Sequence, residues 1–100
     1  MNFILRRKFS TKIITSGLYV PGNQERMLKK CVTAKATLLV PDIEDSVPYH
    51  EKPKARSMIQ SYLKFIRESV GDQTVITPRT NAPSLEDGEI FYKDVNSILS

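Results

Sequence analysis

TLLVPDIEDSVPYHEKPKAR, residues 37–56, contains a short apolar run, a cluster of acids and the start of a helix. The apolar residues 38–40 form a continuous run, which is typical of a strand covered on both faces. Three carboxylates, those of Asp42, Glu44 and Asp45, follow almost at once. The stretch therefore predicts a buried strand with acids at its C-terminal end, where parallel α/β folds bind ligands.

The acidic cluster has a second interpretation, as a loop that only caps the following helix. Three carboxylates at one strand end repel each other unless cations or hydrogen bonds compensate, or one of them takes up a proton. Because a plain cap needs no such cluster, we favour a functional role for these acids.

Strand and helix patterns alternate along the rest of the chain. Runs rich in Ile, Val and Thr predict strands at residues 13–20, 37–40 and 74–77. Apolar residues at helical spacing predict helices at residues 24–35, 52–70 and 89–99. This alternation predicts an α/β fold with a parallel sheet and right-handed crossovers.

Polar side chains follow each predicted strand at the same relative place. They occupy residues 19–23, 42–45 and 79–81. In a (β/α)8 barrel these strand ends would surround one mouth, but a barrel takes eight strands and about 250 residues. We therefore expect either a small open sheet or the first three βα units of a (β/α)8 TIM barrel.

The net charge of +4 does not indicate a nucleic-acid partner. Four of the 15 basic residues precede Gly17 with no acid among them, and the remaining 11 balance the 11 acids that follow. The domain therefore has no basic excess to bind a phosphate backbone. No apolar run is long enough for a membrane span, so we expect no membrane partner either.

Residues 1–16, MNFILRRKFSTKIITS, form a basic, acid-free leader with interspersed apolar residues. These features are typical of a mitochondrial transit peptide. A mitochondrial location is therefore expected, and a cytoplasmic one if the leader has no targeting role. Residues 17–100 are then the N-terminal part of the barrel domain.

The first predicted helix carries two further features. Its Cys31 is the single cysteine of the chain, which excludes an internal disulfide and a multi-cysteine zinc site, and its apolar position predicts a buried, inert thiol. Arg26 and Lys30 lie four residues apart on one face. Near the start of a helix such a pair can bind an anion, and the alternative is a solvated face.

Four motifs together resemble the HpcH/HpaI aldolase/citrate lyase family, above all its citrate lyase beta-subunit-like branch with the mitochondrial citramalyl-CoA lyases. They are LYVPGN at 18–23, PDIEDSV at 41–47, EKPKAR at 51–56 and RTN at 79–81. Their order and spacing agree with the family from about residue 17 to 90. The departures are Thr80, where the family usually has Val, and the prolines Pro41 and Pro78.

The resemblance implies a Mg²⁺-dependent lyase that cleaves a C–C bond in CoA thioesters of short hydroxy acids, such as citramalyl-CoA or malyl-CoA. It assigns contacts with the CoA-linked substrate to Tyr19, Arg26 and Lys30. It gives Arg79 the role of binding the substrate's carboxylate or keto oxygen. A planar guanidinium can bind a carboxylate through two parallel hydrogen bonds.

The same resemblance gives the acids a supporting role. Asp42, Glu44 and Asp45 would orient Arg79 and the waters of the metal. The direct Mg²⁺ ligands of the family are a Glu and an Asp on later strands, so they are expected beyond Ser100 and none within this chain. We therefore expect an N-terminal fragment with no lyase activity of its own, and a homo-oligomer for the complete protein.

Two other functions remain open from the sequence. Residues 38–44 superficially resemble the strand of haloacid dehalogenase-like phosphotransferases, in which Asp42 would be the nucleophile. The second alternative is that the chain is a non-catalytic remnant or a binding module that complements a partner chain.

Overall fold

The computed structural model of the chain describes residues 13–83 and 88–99. These residues form one open sheet of three parallel strands, in the order β1-β2-β3, with a helix after each strand. The strands are β1 (Gly17–Pro21), β2 (Leu38–Asp42) and β3 (Val75–Ile76). The helices are α1 (Glu25–Lys30), α2 (Lys52–Ser69) and α3 (Gly88–Leu99). The predicted α/β alternation is confirmed; most of the predicted leader, residues 1–12, lies outside the described residues.

The central strand β2 pairs with a neighbour on each side. Leu38 lies opposite Gly17 of β1 and Val75 of β3, and Leu39 lies opposite Ile76. The predicted adjacency of the three strands is therefore confirmed. None of the helices in the described ranges combines the length and the apolar character that crossing a membrane requires.

The strand boundaries differ from the prediction at the ends that carry the prolines. The second strand continues through Pro41 to Asp42, whereas β3 is limited to Val75–Ile76. Proline has no N–H to donate, so Pro41 and Pro78 interrupt the ladder between the two strands. Pairing resumes one step further on, where the Arg79 N–H donates to the Pro41 carbonyl at 2.8 Å.

The first helix is shorter than predicted. It ends at Lys30 and continues as a 3-10 turn, Cys31–Thr33, in which Val and Thr are β-branched and lower the helix propensity. Asn23 is not the N-cap of this helix. Gln24 takes that place, while the Asn23 side-chain amide donates to Glu51 at 3.1 Å.

Two apolar clusters join the sheet to the helices. The first consists of Val20, Leu28, Cys31, Leu39 and Ile66. The second consists of Ile43, Val47, Ala55 and Ile59. Apolar residues of the first two predicted helix patterns belong to these clusters or pack against them, among them Leu28, Val32, Ile59, Leu63 and Ile66. Burial raises the pKa of the Cys31 thiol, as expected of an inert cysteine.

Candidate functional site

Backbone hydrogen bonds draw the three predicted strand ends together. The Gly22 N–H, in the turn after β1, donates to the Asp42 carbonyl at 2.8 Å. On the other side Asp42 forms an isolated parallel bridge with Arg79, and the Ile43 N–H donates to the Arg79 carbonyl at 3.0 Å. The end of β2 is thus attached on both sides, which holds the polar side chains of all three segments close to each other.

The turn after β1 requires glycine because two elements approach it closely. A Cβ atom on Gly22 would lie 2.6 Å from Cδ1 of Ile59 in α2 and 2.7 Å from the carbonyl oxygen of Asp42. The Asp42 oxygen belongs to the backbone of a paired strand and cannot move aside. The glycine of the VPGN motif therefore fixes how closely the turn approaches the end of β2.

Asp42 and Arg79 form the central ion pair of the site. Nε of Arg79 donates to Oδ1 of Asp42 at 2.8 Å, and its NH2 nitrogen donates to Oδ2 at 2.9 Å. Asp42 also accepts from the backbone of Glu44 and Ser46 and from the Ser46 hydroxyl, the last at 2.6 Å. Burial raises the pKa of Asp42, but these hydrogen bonds, led by that from Arg79, hold it well below its usual range.

This environment does not suit the role of nucleophile. Asp42 is fully buried and both its oxygens accept hydrogen bonds, so neither is open to an incoming phosphorus atom. The haloacid dehalogenase-like interpretation requires an accessible carboxylate at this position. The structure argues against it and gives Asp42 the role of an anchor for Arg79.

The other two acids lie further from the guanidinium. Glu44 is partly buried, with Oε1 3.4 Å from Nε of Arg79. The side chain of Asp45 is 82% exposed, and its Oδ2 lies 4.0 Å from NH1 of Arg79. The predicted proximity of Arg79 to all three acids is therefore observed. Their roles in catalysis remain predictions.

Tyr19 covers one face of the guanidinium. The Cζ atom of Arg79 lies 4.5 Å from the centroid of the Tyr19 ring, which is within the range of a cation–π interaction. The hydrogen bond to Asp42 raises the pKa of Arg79, so the stacked group stays cationic. Asp42 engages two of the five guanidinium N–H groups. The edge that carries NH1 is left for another acceptor.

Tyr19 also lines a cavity of about 450 Å³. It is lined by Leu18, Tyr19, Val20, Arg26, Met27, Lys30, Cys31, Thr33 and Ala34. The three residues predicted to contact substrate thus line a single cavity. Arg26 and Lys30 are exposed, and most of the other lining residues are apolar. Such a cavity suits a ligand with both apolar and anionic groups.

The described residues do not form a metal centre. Within residues 13–83 and 88–99 no three His, Cys, Asp or Glu side chains are placed to hold one ion. Asp42 does not fit as a Mg²⁺ ligand, since its oxygens already accept hydrogen bonds from protein donors. The assignment of Mg²⁺ ligands to later strands remains a prediction.

Sequence reasoning missed two buried charged residues, Lys52 and Asp94. Lys52, only 8% exposed, donates to the carbonyls of Ile43 and Glu44, both at 2.8 Å. Asp94 is fully buried on α3. A signal for Asp94 exists, because it lies four residues from an isoleucine on either side and so falls within the apolar face of its helix.

Comparison with known proteins agrees with the motifs. The family model of HpcH/HpaI aldolase/citrate lyase matches residues 15–97. A (3S)-malyl-CoA thioesterase of Cereibacter sphaeroides, strain ATCC 17029, is 37% identical over 51 residues, which are 51% of this chain and 18% of that protein. The protein of the same name from strain ATCC 17025 is 39% identical over 49 residues, 49% of this chain and 17% of the relative. The matched region spans less than a fifth of either relative.

Proposed function

The chain belongs to the HpcH/HpaI aldolase/citrate lyase family, and on this basis we propose that it carries the substrate-binding part of a lyase for CoA thioesters of short hydroxy acids. The observation that supports this best is the position of Tyr19. Its ring stacks on the guanidinium of Arg79 and also lines the cavity with Arg26 and Lys30. One side chain thus contacts both a fixed anion-binding group and a cavity lined by two cations.

Arg79 would bind the reacting end of the substrate. Its edge with Nε is held by Asp42, so the guanidinium is oriented before any substrate arrives. Its NH1 edge can donate to a carboxylate or a keto oxygen. Lysine would supply the same charge without this fixed geometry.

The reaction breaks the bond between the hydroxyl-bearing carbon and the carbon next to the thioester carbonyl. In malyl-CoA a base takes the hydroxyl proton, and the electrons of the broken bond move to the thioester carbonyl. The products are glyoxylate and the enolate of acetyl-CoA, which is then protonated. Hydrogen-bond donors placed at the developing negative oxygen stabilise such a transition state, and Arg79 is the candidate donor in this chain.

Arg26 and Lys30 would bind the phosphates of CoA. Both cations are exposed and line the 450 Å³ cavity. Its apolar lining would accommodate the less polar parts of the cofactor.

The remaining expectations extend the proposal. A bound Mg²⁺ would add charge stabilisation for the enolate. Its ligands are expected beyond Ser100, and Glu44 and Asp45 would hydrogen-bond its waters. We also propose a mitochondrial location directed by residues 1–16, and a homo-oligomer for the complete protein.

Thioester hydrolysis is a second candidate, because the relatives from Cereibacter sphaeroides are named malyl-CoA thioesterases. It would use the same cavity and release malate and free CoA. Lyase activity instead leaves the thioester intact in acetyl-CoA. Release of a free thiol therefore distinguishes hydrolysis from the glyoxylate formed by cleavage.

Calorimetric titration of the 100-residue chain with malyl-CoA tests the proposal. We expect binding that weakens at least about tenfold in Arg79→Lys and in the pair Arg26→Ala/Lys30→Ala. Lys54→Met is the matched control, since Lys54 is exposed and lies outside the cavity. Equal affinity in all four proteins would contradict the proposed site. With Mg²⁺ present we expect neither glyoxylate nor free thiol, and turnover would show that the chain is active alone.

A further inference from the structure

Each partner of the Asp42–Arg79 pair is attached to a buried polar group outside the cavity. On the Asp42 side, the Lys52 ammonium donates to the carbonyls of Ile43 and Glu44, the two residues that follow Asp42. Lys52 belongs to α2, so it attaches the acidic segment to that helix. Its own exposure is only 8%.

On the Arg79 side the attachment runs through Asn81. The Asn81 backbone N–H and side-chain amide both donate to Oδ2 of Asp94 at 2.7 Å. Nε of Arg56 donates to the other oxygen, Oδ1, at 2.8 Å. Asp94 therefore holds the residue two positions after Arg79 and attaches it to both α2 and α3.

The two attachments meet at one backbone atom. The Ile43 carbonyl accepts from Lys52 at 2.8 Å and from the Asn81 side chain at 3.3 Å. Lys52, Arg56, Asn81 and Asp94 thus form one buried network beside the ion pair. None of these four residues lines the 450 Å³ cavity.

Stability alone gives little reason for this network. A buried ion pair such as Arg56–Asp94 is often no more stabilising than apolar side chains of the same volume. Asp94 also occupies an otherwise apolar face, where a leucine would pack without any charge to compensate. Unlike leucine, Asp94 accepts directed hydrogen bonds from the backbone N–H and from the side-chain amide of Asn81.

We propose that Lys52 and Asp94 are positioning residues. They fix the Asp42–Arg79 fork, meaning the two parallel hydrogen bonds from the guanidinium to the carboxylate, in the geometry that binds substrate. This inference depends on the proposed function in one respect only, namely that the fixed geometry is the one that binds substrate. Lys52 fixes the backbone after Asp42, and Asp94 fixes the backbone after Arg79. Displacement of either segment would misalign the two parallel hydrogen bonds of the fork.

Nuclear magnetic resonance of the 100-residue chain tests this directly. The measured quantity is the solvent-exchange rate of the Arg79 Nε–H, relative to that of the Leu39 amide in the same sample. We expect the ratio to rise at least about tenfold in Asp94→Asn and in Lys52→Met, since local opening of the fork exposes that proton. The matched controls Glu89→Gln and Lys54→Met change exposed residues of the same two helices and should leave it unchanged.

A purely structural role gives a different result. If the network only stabilises the fold, the Nε–H and the Leu39 amide exchange faster in parallel, and the unchanged ratio overturns the proposal. Should Asp94→Asn fail to fold, the milder Arg56→Lys replaces it with the same criterion. Loss of the fold in that variant as well would show a structural network and would also overturn positioning.

Titration with malyl-CoA separates this inference from the proposed function. We expect affinity to fall at least about tenfold in Asp94→Asn, although Asp94 lies outside the cavity. If the unmodified chain fails to bind malyl-CoA but the exchange ratio still responds, positioning stands and the proposed function fails. If malyl-CoA binds while the ratio does not respond, the proposed function stands and positioning fails.

Discussion

Asp42 is the residue on which the strand ends depend, because five hydrogen bonds converge on its two oxygens. The donors come from its own loop and from Arg79, so one carboxylate orders both segments. Asp45, three residues on, is 82% exposed and lies 4.0 Å from the guanidinium. Two acids of one motif thus have different physical roles, which their spacing alone does not reveal.

Asp42→Asn should therefore destabilise the chain, whereas Asp45→Asn should not. The amide keeps the shape, but its NH2 group cannot accept, which leaves one guanidinium N–H and one backbone N–H without an acceptor. We expect a loss of at least about 2 kcal/mol in the free energy of unfolding for Asp42→Asn, and less than about 0.5 kcal/mol for Asp45→Asn. Urea unfolding measures both, and equal losses would contradict the anchor role.

Cys31 offers a second test at the scale of one residue. The side chain is 5% exposed and burial raises the pKa of its thiol, so few thiolates form and little of the sulfur is accessible to reagents. We expect a disulfide reagent to label Cys31 at least about a hundredfold more slowly in buffer than in strong denaturant. Equal labelling rates would mean that the first apolar cluster is open.

At the scale of elements, the turn between β1 and α1 is set by close packing against α2 and β2. Gly22→Ala would place a Cβ 2.6 Å from Ile59 and 2.7 Å from the Asp42 carbonyl. We expect a loss of about 1–3 kcal/mol in the free energy of unfolding, because the backbone oxygen cannot retreat. Gly71→Ala is the matched control, since no atom lies within 4 Å of its added Cβ. A neutral Gly22→Ala would show that the turn can shift.

The elements also show how far sequence reasoning reaches. The alternation of strands and helices was predictable because apolar periodicity is local, and the parallel pairing of the strands followed from that alternation. The meeting of Arg79 with the acids was predictable from topology, since parallel strands end at one edge of the sheet. The early end of β3 could not be predicted. It depends on the placement of Pro41 opposite Pro78, and these two residues lie far apart in the sequence.

Lys52 and Asp94 were unpredictable for a related reason. Their partners are backbone carbonyls and an asparagine on other elements, and such contacts leave no spacing rule within a helix. A buried acid within an apolar face was the one visible sign of Asp94. Its partner Arg56 lies 38 residues away, so only the packing of α2 against α3 identifies the pair.

At the scale of the whole molecule, the ion pair makes stability depend on pH in a predictable direction. The pKa of Asp42 is lower in the folded chain than in the unfolded chain, where it is about 3.9. Below that value the unfolded state binds more protons than the folded state, so acid favours unfolding. The contribution of Asp42 is complete above about pH 5 and is lost progressively as the pH falls through 4 and lower.

Comparison with a variant isolates this contribution from those of the other acids. We expect the free energy of unfolding of the unmodified chain to fall more steeply between pH 5 and pH 3 than that of Asp42→Asn, with the two curves approaching each other in acid. Asp45→Asn should follow the unmodified chain, because its exposed carboxylate lies 4.0 Å from Arg79. Urea titrations at several pH values give the curves. Parallel curves for the unmodified chain and Asp42→Asn would mean that Asp42 has the same pKa in both states, and hence that the fork with Arg79 does not form in solution.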